Sequence, residues 1–396
     1  MGQSELMFSG FRYRLRCEYR TDVDTQELYS SFKRTLDKGD NTMSKFEKYL
    51  ALWVALCMII GVILSQTIPG ISEAIVSWQI RGISIPIGIC LFLMMYPAVL
   101  NLQVSELKKL RNSPKPIIMT LFSNWVIAPL VAAGLAYLFL RGNAQLIVAV
   151  ILLGSSPCTA MVLVWGKLAE GNQEQNVVNT SLNTVTIMVL YVPIVSLLTG
   201  IQNIPIDRGL LAISVFVFIG IPLILGIVSK RVLIRAKGEP WFENVYRLTV
   251  GKIAIVALLM TLIVLFSLNG QVLLNHFDQL LLVSVPLLLG FIIVVGLNLL
   301  ITRVFKLKYR EAIITVIIGS SSHFEIAIAT AIAMYGVDSY AALGTTMGLF
   351  WEVPIMLGLV FLGKALRRRN FWNRFEGLRH MIPGDGVSRG YESQAG

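Results

Sequence analysis

Charge is what this chain has least of. Of its 396 residues only 14% are Asp, Glu, Lys or Arg, while 55% are hydrophobic. A water-soluble domain of this length cannot hide so much apolar surface, so the composition excludes one and marks a membrane protein. Cysteine is scarce as well. The four present, Cys17, Cys57, Cys90 and Cys158, fall in unrelated contexts, three of them inside apolar runs. Neither a disulfide framework nor a CxxC metal site is indicated, and the cysteines are expected as thiols. Acid is scarcer than base, with 23 Asp and Glu against 34 Lys and Arg and a formal charge of +11. A nucleic-acid partner is excluded all the same, because the basic residues sit in short clusters between long apolar runs and form no domain to hold a phosphate backbone.

What is present is length without charge. Ten apolar runs of about 20 residues, enough to cross a bilayer, are read at 48–68, 82–101, 116–140, 144–166, 177–200, 209–229, 249–270, 279–302, 311–335 and 340–363. One set of alternate loops carries Lys108, Lys109, Arg111 and Lys115, then Lys167, then Lys230, Arg231, Arg235, Lys237 and Arg247, then Arg303, Lys306, Lys308 and Arg310. The other set carries only Arg81, Arg141 and Arg208. With Arg367, Arg368 and Arg369 after the last run, this asymmetry predicts a multi-pass protein of the cell membrane with both termini in the cytoplasm.

The expected organisation is a polar cytoplasmic extension over residues 1–44, disordered by its composition, two five-span units at 45–200 and 201–366, and a basic cytoplasmic tail at 367–396. The division into units rests on an echo: "VILLGSSPCTAMVLV" (150–164) and "TVIIGSSSHFEIAIA" (315–329) share an apolar pair, then Gly-Ser-Ser, then a reactive or polar residue. A second echo pairs "YVPIV" (191–195) with "EVPIM" (352–356). These lie in the fourth and ninth and in the fifth and tenth runs. Five is odd, so two such units enter the membrane from opposite sides and are inverted repeats, an architecture that secondary transporters use for alternating access. The fold class expected is therefore all-α and polytopic, with ten spans in two inverted five-helix repeats and discontinuous fourth and ninth spans.

Glycine, serine and proline in mid-membrane need a reason, since no water is there to satisfy a broken helix. Ser156 is expected as an N-cap with Pro157 opening a new half-helix, which puts the Cys158 thiol in a first turn. In the ninth span Ser322 and Glu325 have the spacing of a capping box, so a second half-helix is expected from Ser322. Two such N-termini make a positively polarised polar pocket. An ionisable side chain in mid-membrane is a functional candidate by default, which adds Glu325 and Glu352 in "LFWEVPIM", with His323 beside them. Asn124 and Trp125 in "LFSNWVIAPL" complete the candidates as a polar pocket residue with an aromatic neighbour.

At these residues the chain resembles the arsenite efflux permeases of the bile acid and sodium symporter superfamily. The resemblance runs from Lys45 to Lys364 through "GICLFLMMYPAVL", "SNWVIAPL", "PCTAMVLVWGKLAEG", "FIGIPLILG", "HFEIAIATAIAMYG" and "WEVPIM". It implies ten helices in two inverted repeats, with the crossed, discontinuous fourth and ninth helices in a core domain that moves against a panel domain. The family's functional cysteine falls on Cys158 and its acidic residue on Glu325. One departure stands out: Ser322 and His323 occupy the place of the family's usual pair of Asn.

The resulting expectation is a transporter and not an enzyme, without cofactor, whose small substrate is arsenite and whose coupling ion is the proton. Trivalent arsenic is soft, and one thiol at Cys158 makes a bond that can be released, whereas several would trap the substrate. Ser156, Pro157, Asn124, Trp125, Ser322, His323 and Glu352 surround it, and Glu325 takes up and releases the proton. Two rivals are a sodium-coupled organic anion symporter on the same scaffold and a membrane-embedded cysteine enzyme using Cys158 with His323.

Overall fold

Proline and glycine decide where these apolar runs bend and where they stop. The computed structural model describes residues 50–68, 70, 77–80, 83–100, 114–159, 161–275, 277–336 and 339–372. The extension expected over 1–44 and the tail beyond 372 lie outside the described residues. The chain divides into two units, Met1–Leu50 and Ala51–Gly396, and apart from Leu50 every described residue belongs to the second.

The first elements are α1 (Leu50–Thr67), a two-stranded antiparallel pair β1 (Gln79–Ile80) and β2 (Ile83–Ser84), and α2 (Ile85–Leu100). The pair is the one sheet among the described residues. There follow α3 (Pro114–Phe122) and α4 (Ala128–Phe139), joined by the π turn Ser123–Ile127, then α5 (Ala144–Gly154), α6 (Val162–Leu168) and α7 (Gln173–Gly200). Next come α8 (Arg208–Val215) and α9 (Ile221–Lys237), joined by the π turn Phe216–Gly220. A short α10 (Glu239–Trp241) and the π turn Phe242–Tyr246 lead into α11 (Arg247–Asn275). The last four are α12 (Phe277–Val304), α13 (Tyr309–Gly319), α14 (Phe324–Tyr335) and α15 (Tyr340–Arg368).

Among the described residues six continuous helical runs are long and apolar enough to cross a membrane: Pro114–Phe139, Gln173–Gly200, Arg208–Lys237, Glu239–Leu268, Asp278–Val304 and Tyr340–Arg368. Two of them, Arg208–Lys237 and Tyr340–Arg368, continue well past the C-terminal end of the apolar stretch that announces them. Both end on basic residues, Arg235 and Lys237 in α9 and Arg367 and Arg368 in α15, which favour the negative end of a helix dipole. Two π turns stand just ahead of prolines in the next helix, Pro129 and Pro222. A proline has no N–H for the carbonyl four residues back and its ring crowds that carbonyl, so the helix widens for one turn instead of breaking.

The broken pairs α5–α6 and α13–α14 run through the middle of the second unit. Leu146 to Leu153 of α5, Ala312 to Gly319 of α13 and Phe324 to Ala333 of α14 are buried without exception. Around them the long helices turn large apolar side chains outward, among them Val189, Leu197 and Ile292, as a hydrocarbon solvent requires.

At one end the broken helices are tied by their loops. Glu170, between α6 and α7, binds Lys364 at 3.1 Å and Arg367 at 2.7 Å on α15. The Lys364 hydrogen bond, with the charges of both cations, holds its carboxyl below the usual range. The Tyr309 hydroxyl donates to the Ala169 carbonyl at 2.7 Å, and Trp372, edge-on to the Tyr309 ring, donates its indole N–H to Thr302 Oγ1 at 3.2 Å. This clamp joins the end of α6, the start of α13, the end of α12 and the end of α15.

The two breaks lean on the helix built from α3 and α4. A Cβ placed on Gly154 would lie 2.2 Å from Ala132 Cβ, and one on Gly319 would lie 2.8 Å from Ser123 Oγ. Only a residue without a side chain fits either place. Gly154→Ala is expected to lower stability by about 1–3 kcal/mol, the usual range for overpacking, and Ala132→Gly in the same chain should restore most of it. Thermal unfolding of the purified protein in detergent checks both.

Candidate functional site

Serine and proline end α5, as Pro157 disfavours the helical conformation at Ser156 before it. The Ser155 N–H still reaches the Ile151 carbonyl at 3.0 Å and the Ser156 N–H the Leu153 carbonyl at 3.3 Å. The second half-helix does not start at Pro157, however. It starts at Val162, with Met161 as N-cap and no side chain capping it. Cys158 therefore lies in an extended linker and not in a first helical turn. The linker is extended because its backbone finds partners across the site.

The break between α13 and α14 corrects a second expectation. α14 starts at Phe324 with His323 as N-cap, and no capping box forms. The Ser322 hydroxyl donates to Glu352 Oε2 on α15 instead, and the Ser322 N–H donates to Glu352 Oε1 at 3.0 Å. A carboxylate brought from another helix outcompetes the local one because it accepts from both Ser322 donors at once.

The linkers pair with each other. Pro157 and Ser322 form an antiparallel bridge, the His323 N–H donates to the Ser156 carbonyl at 2.6 Å, and Ser156 Oγ lies 3.4 Å from the His323 carbonyl. Each broken helix thus supplies hydrogen-bond partners that the other lacks, in an interior without water to supply them. The local geometry is the same in both: Ser156 Oγ donates to the Leu153 carbonyl at 3.0 Å and Ser321 Oγ to the Ile318 carbonyl at 3.1 Å, three residues back in each case.

His323 and Glu325 face each other within this crossing. Nδ1 lies 3.0 Å from Glu325 Oε2, a contact of ion-pair length whose angles do not make a hydrogen bond. Nε2 lies 3.1 Å from the Met95 sulfur of α2, to which the Thr159 hydroxyl also donates at 3.7 Å. Glu325 Oε1 and Ser155 Oγ are buried without a hydrogen-bond partner, so the crossing retains polar atoms for a guest.

Asn124 and Trp125 sit in the first π turn, and its wider pitch splays three consecutive side chains. Ser123 Oγ donates to the Gly319 carbonyl at 2.9 Å, Asn124 Nδ2 to Asn183 Oδ1 at 3.0 Å, and Trp125 Nε1 to Thr186 Oγ1 at 3.1 Å. Asn183 passes the connection on, donating to the Cys158 carbonyl at 3.1 Å. Ser156, Pro157, Ser322, His323, Glu325 and Glu352 are thus joined in one crossing. Asn124 reaches the Cys158 backbone through Asn183, and Trp125 is bonded to α7 and not to the crossing.

Sequence reasoning missed Met95, Thr159, Asn298 and the asparagines of α7. Asn176, Asn179 and Asn183 are fully buried and donate to the Val162 carbonyl, Thr120 Oγ1 and the Cys158 carbonyl. Their spacing in "NVVNTSLN" puts them on one helix face, which was the signal available. Asn298 leaves none, the one Asn of an apolar helix, and its Nδ2 donates to Ser320 Oγ at 3.1 Å.

Beside the crossing an apolar cleft of about 530 Å³ opens between α4, α5, α12 and α15, with Ser320, Ser321 and Ser322 as its polar wall. Among the described residues no three His, Cys, Asp or Glu side chains gather as a metal cage. Chemically the site offers one buried thiol, two buried carboxylates, an imidazole and a thioether. That set suits a small soft solute better than a hard ion.

Comparison with known proteins shows the family. The profile of the Sodium Bile acid symporter family matches residues 88–276. An uncharacterised transporter of Synechocystis is 38% identical over 85% of this chain and 92% of its own length. The arsenical-resistance protein Acr3 of Alkaliphilus metalliredigens is 35% identical over 81% and 93%, and Acr3 of Corynebacterium glutamicum 29% identical over 81% and 89%. The chain is a multi-pass membrane transporter, and it belongs to the arsenical-resistance protein family within the sodium bile acid symporter superfamily.

Proposed function

We propose that this transporter expels trivalent arsenite across the cell membrane in exchange for protons. The observation that carries the reading is Cys158: a buried thiol on the extended linker of a broken helix, with its backbone anchored by Asn183, at a crossing that holds two buried carboxylates. A soft metalloid takes one sulfur there and has no second thiolate in the linker to trap it. Two relatives are arsenical-resistance proteins by name. Glu325 and His323 form the proton-coupling part of the site, with Ser156, Pro157, Ser322, Glu352, Asn124 and Trp125 shaping it.

The architecture that serves this cycle is a pair of inverted five-helix units, 45–200 and 201–366, ten spans in all. The helices group accordingly, with α3–α4, α5–α6, α8–α9, α10–α11 and α13–α14 each forming one span. Support comes from the matched breaks after Gly154 and Gly319 with their identical serine bonds. It comes also from the matched fifth and tenth spans: Tyr191 donates to the Leu152 carbonyl of the first broken helix, and Glu352, at the corresponding place, accepts from Ser322 of the second. Both termini are assigned to the cytoplasm from the basic loops, which puts the Glu170 clamp on that side.

Transport into proteoliposomes tests the reading. Cys158→Ser should reduce arsenite movement to that of empty vesicles while the protein still inserts, and joint replacement of Cys17, Cys57 and Cys90 should leave it near wild type. Arsenite transport retained in full by Cys158→Ser would remove the thiol from the mechanism.

Glu325→Gln keeps the size of the side chain and abolishes its charge change. Pumping driven by an imposed pH difference is expected to fall by about a hundredfold or more, on the scale of a lost proton-transfer group. Wild-type pH-driven transport in that variant would move the coupling role to Glu352 or His323.

A further inference from the structure

A proton bound at Glu325 cannot leave through hydrocarbon. Glu325 is 2% exposed, so exchange with either side of the membrane needs a polar path through the protein. One face of α7 supplies the groups for it. Gln175, Asn176, Asn179 and Asn183 are buried along that face, over about 12 Å at 1.5 Å per residue. All four engage their N–H donors on neighbouring elements: Gln175 Nε2 on the Glu311 carbonyl at 3.2 Å and Thr315 Oγ1 at 3.1 Å, Asn176 Nδ2 on the Val162 carbonyl at 3.1 Å, Asn179 Nδ2 on Thr120 Oγ1 at 3.1 Å and Asn183 Nδ2 on the Cys158 carbonyl at 3.1 Å. Their acceptors differ. Asn183 Oδ1 receives Asn124 Nδ2, whereas Gln175 Oε1, Asn176 Oδ1 and Asn179 Oδ1 meet no donor among the described residues. A buried carbonyl left bare costs about 1–3 kcal/mol. Three on one face call for a donor small enough to enter a packed interior, and water is that donor.

We propose that water held by Gln175, Asn176 and Asn179 forms the path by which the proton passes between Glu325 and the cytoplasm, a proposal that rests on the proton-coupled reading above. The face has a mouth at one end and the site at the other. At the first turn of α7, ionisable side chains gather on the helices packed against it: Lys115 of α3, Lys167 of α6 and Arg310 of α13 are exposed, and Glu311 of α13 is half-buried. At the far end Asn183 holds the Cys158 carbonyl, and Ser155 Oγ and Glu325 Oε1 are further bare oxygens in the crossing. Between these ends the face offers amides with the hydroxyls of Thr120 and Thr315. Such groups do not ionise at working pH, so they orient a file of water without holding the proton. Glu325 gives a proton to the first water, each water hands one on, and one proton leaves at the mouth beside Glu311. The amides are positioning residues in this scheme, and the substrate's own contact stays at Cys158.

Two assays in proteoliposomes separate the path from the substrate site. Arsenite uptake driven by an imposed pH difference requires net passage of protons, whereas exchange of labelled for unlabelled arsenite at equal pH does not. Asn179→Leu and Gln175→Leu are expected to lower the first by about tenfold or more, on the scale of an impaired proton transfer, and to leave the second within about twofold of wild type. Asn179→Ser, which keeps a hydroxyl and leaves room for a further water, should restore most of the pH-driven rate. Should the leucine chains fail to insert, Asn179→Val and Gln175→Val, smaller and equally apolar, take their place. Wild-type pH-driven uptake in both variants overturns the proposal, and so does an equal loss in the two assays, which would make the amides structural. A wild-type protein indifferent to the pH difference would instead sink the proton-coupled reading, and the path with it.

Discussion

One backbone hydrogen bond holds the site together, that of the His323 N–H to the Ser156 carbonyl. A helix interrupted inside a bilayer leaves donors and acceptors that water would satisfy elsewhere, and each orphan group in hydrocarbon costs several kcal/mol. The protein meets this with two interruptions instead of one, so that each supplies what the other lacks. Glycine at 154 and 319, serine bonds back into the preceding turn and the embrace of α3–α4 all follow from bringing the breaks together. The polar pocket is a by-product of that geometry, as side chains at two mutually satisfied breaks point into the same small volume.

The surrounding helices act as clamps on the crossing. α7 contributes a face of asparagines, one of which anchors the Cys158 backbone, and α15 contributes Glu352, which takes both donors of Ser322. α3–α4 contributes Ser123 through a π turn that exists because a proline follows it. The Cys158 backbone is therefore held in place by its carbonyl, at the meeting point of the two breaks.

Much of this was legible in the sequence. The apolar runs, the interruptions at Gly-Ser-Ser and the burial of Cys158, His323, Glu325 and Glu352 in apolar surroundings follow from composition and spacing. What the sequence could not deliver was competition between partners. Ser322 and Glu325 have the spacing of a capping box, yet Ser322 bonds to Glu352, thirty residues away, because tertiary packing brings a carboxylate that accepts twice. Pro157 looks like the first residue of a helix, yet the Ser156 carbonyl that would begin that helix is taken by His323. Met95 is one of fourteen methionines, and nothing local distinguishes it until α2 is laid against the crossing.

The separation between the two linkers also constrains how the chain is made. Ser156 and His323 stand 167 positions apart, and the Glu352 that fixes Ser322 comes later still. During synthesis the first interrupted helix must wait, its carbonyl unpaired, until almost the whole chain has left the ribosome. A segment in that condition cannot rest against lipid. It has to be kept in the hydrated channel of the insertion machinery or among its own earlier helices, and α15, the last of the described helices, is the one that closes the crossing. Truncation anywhere before α15 therefore removes more than a helix: it leaves the centre of the protein unfinished.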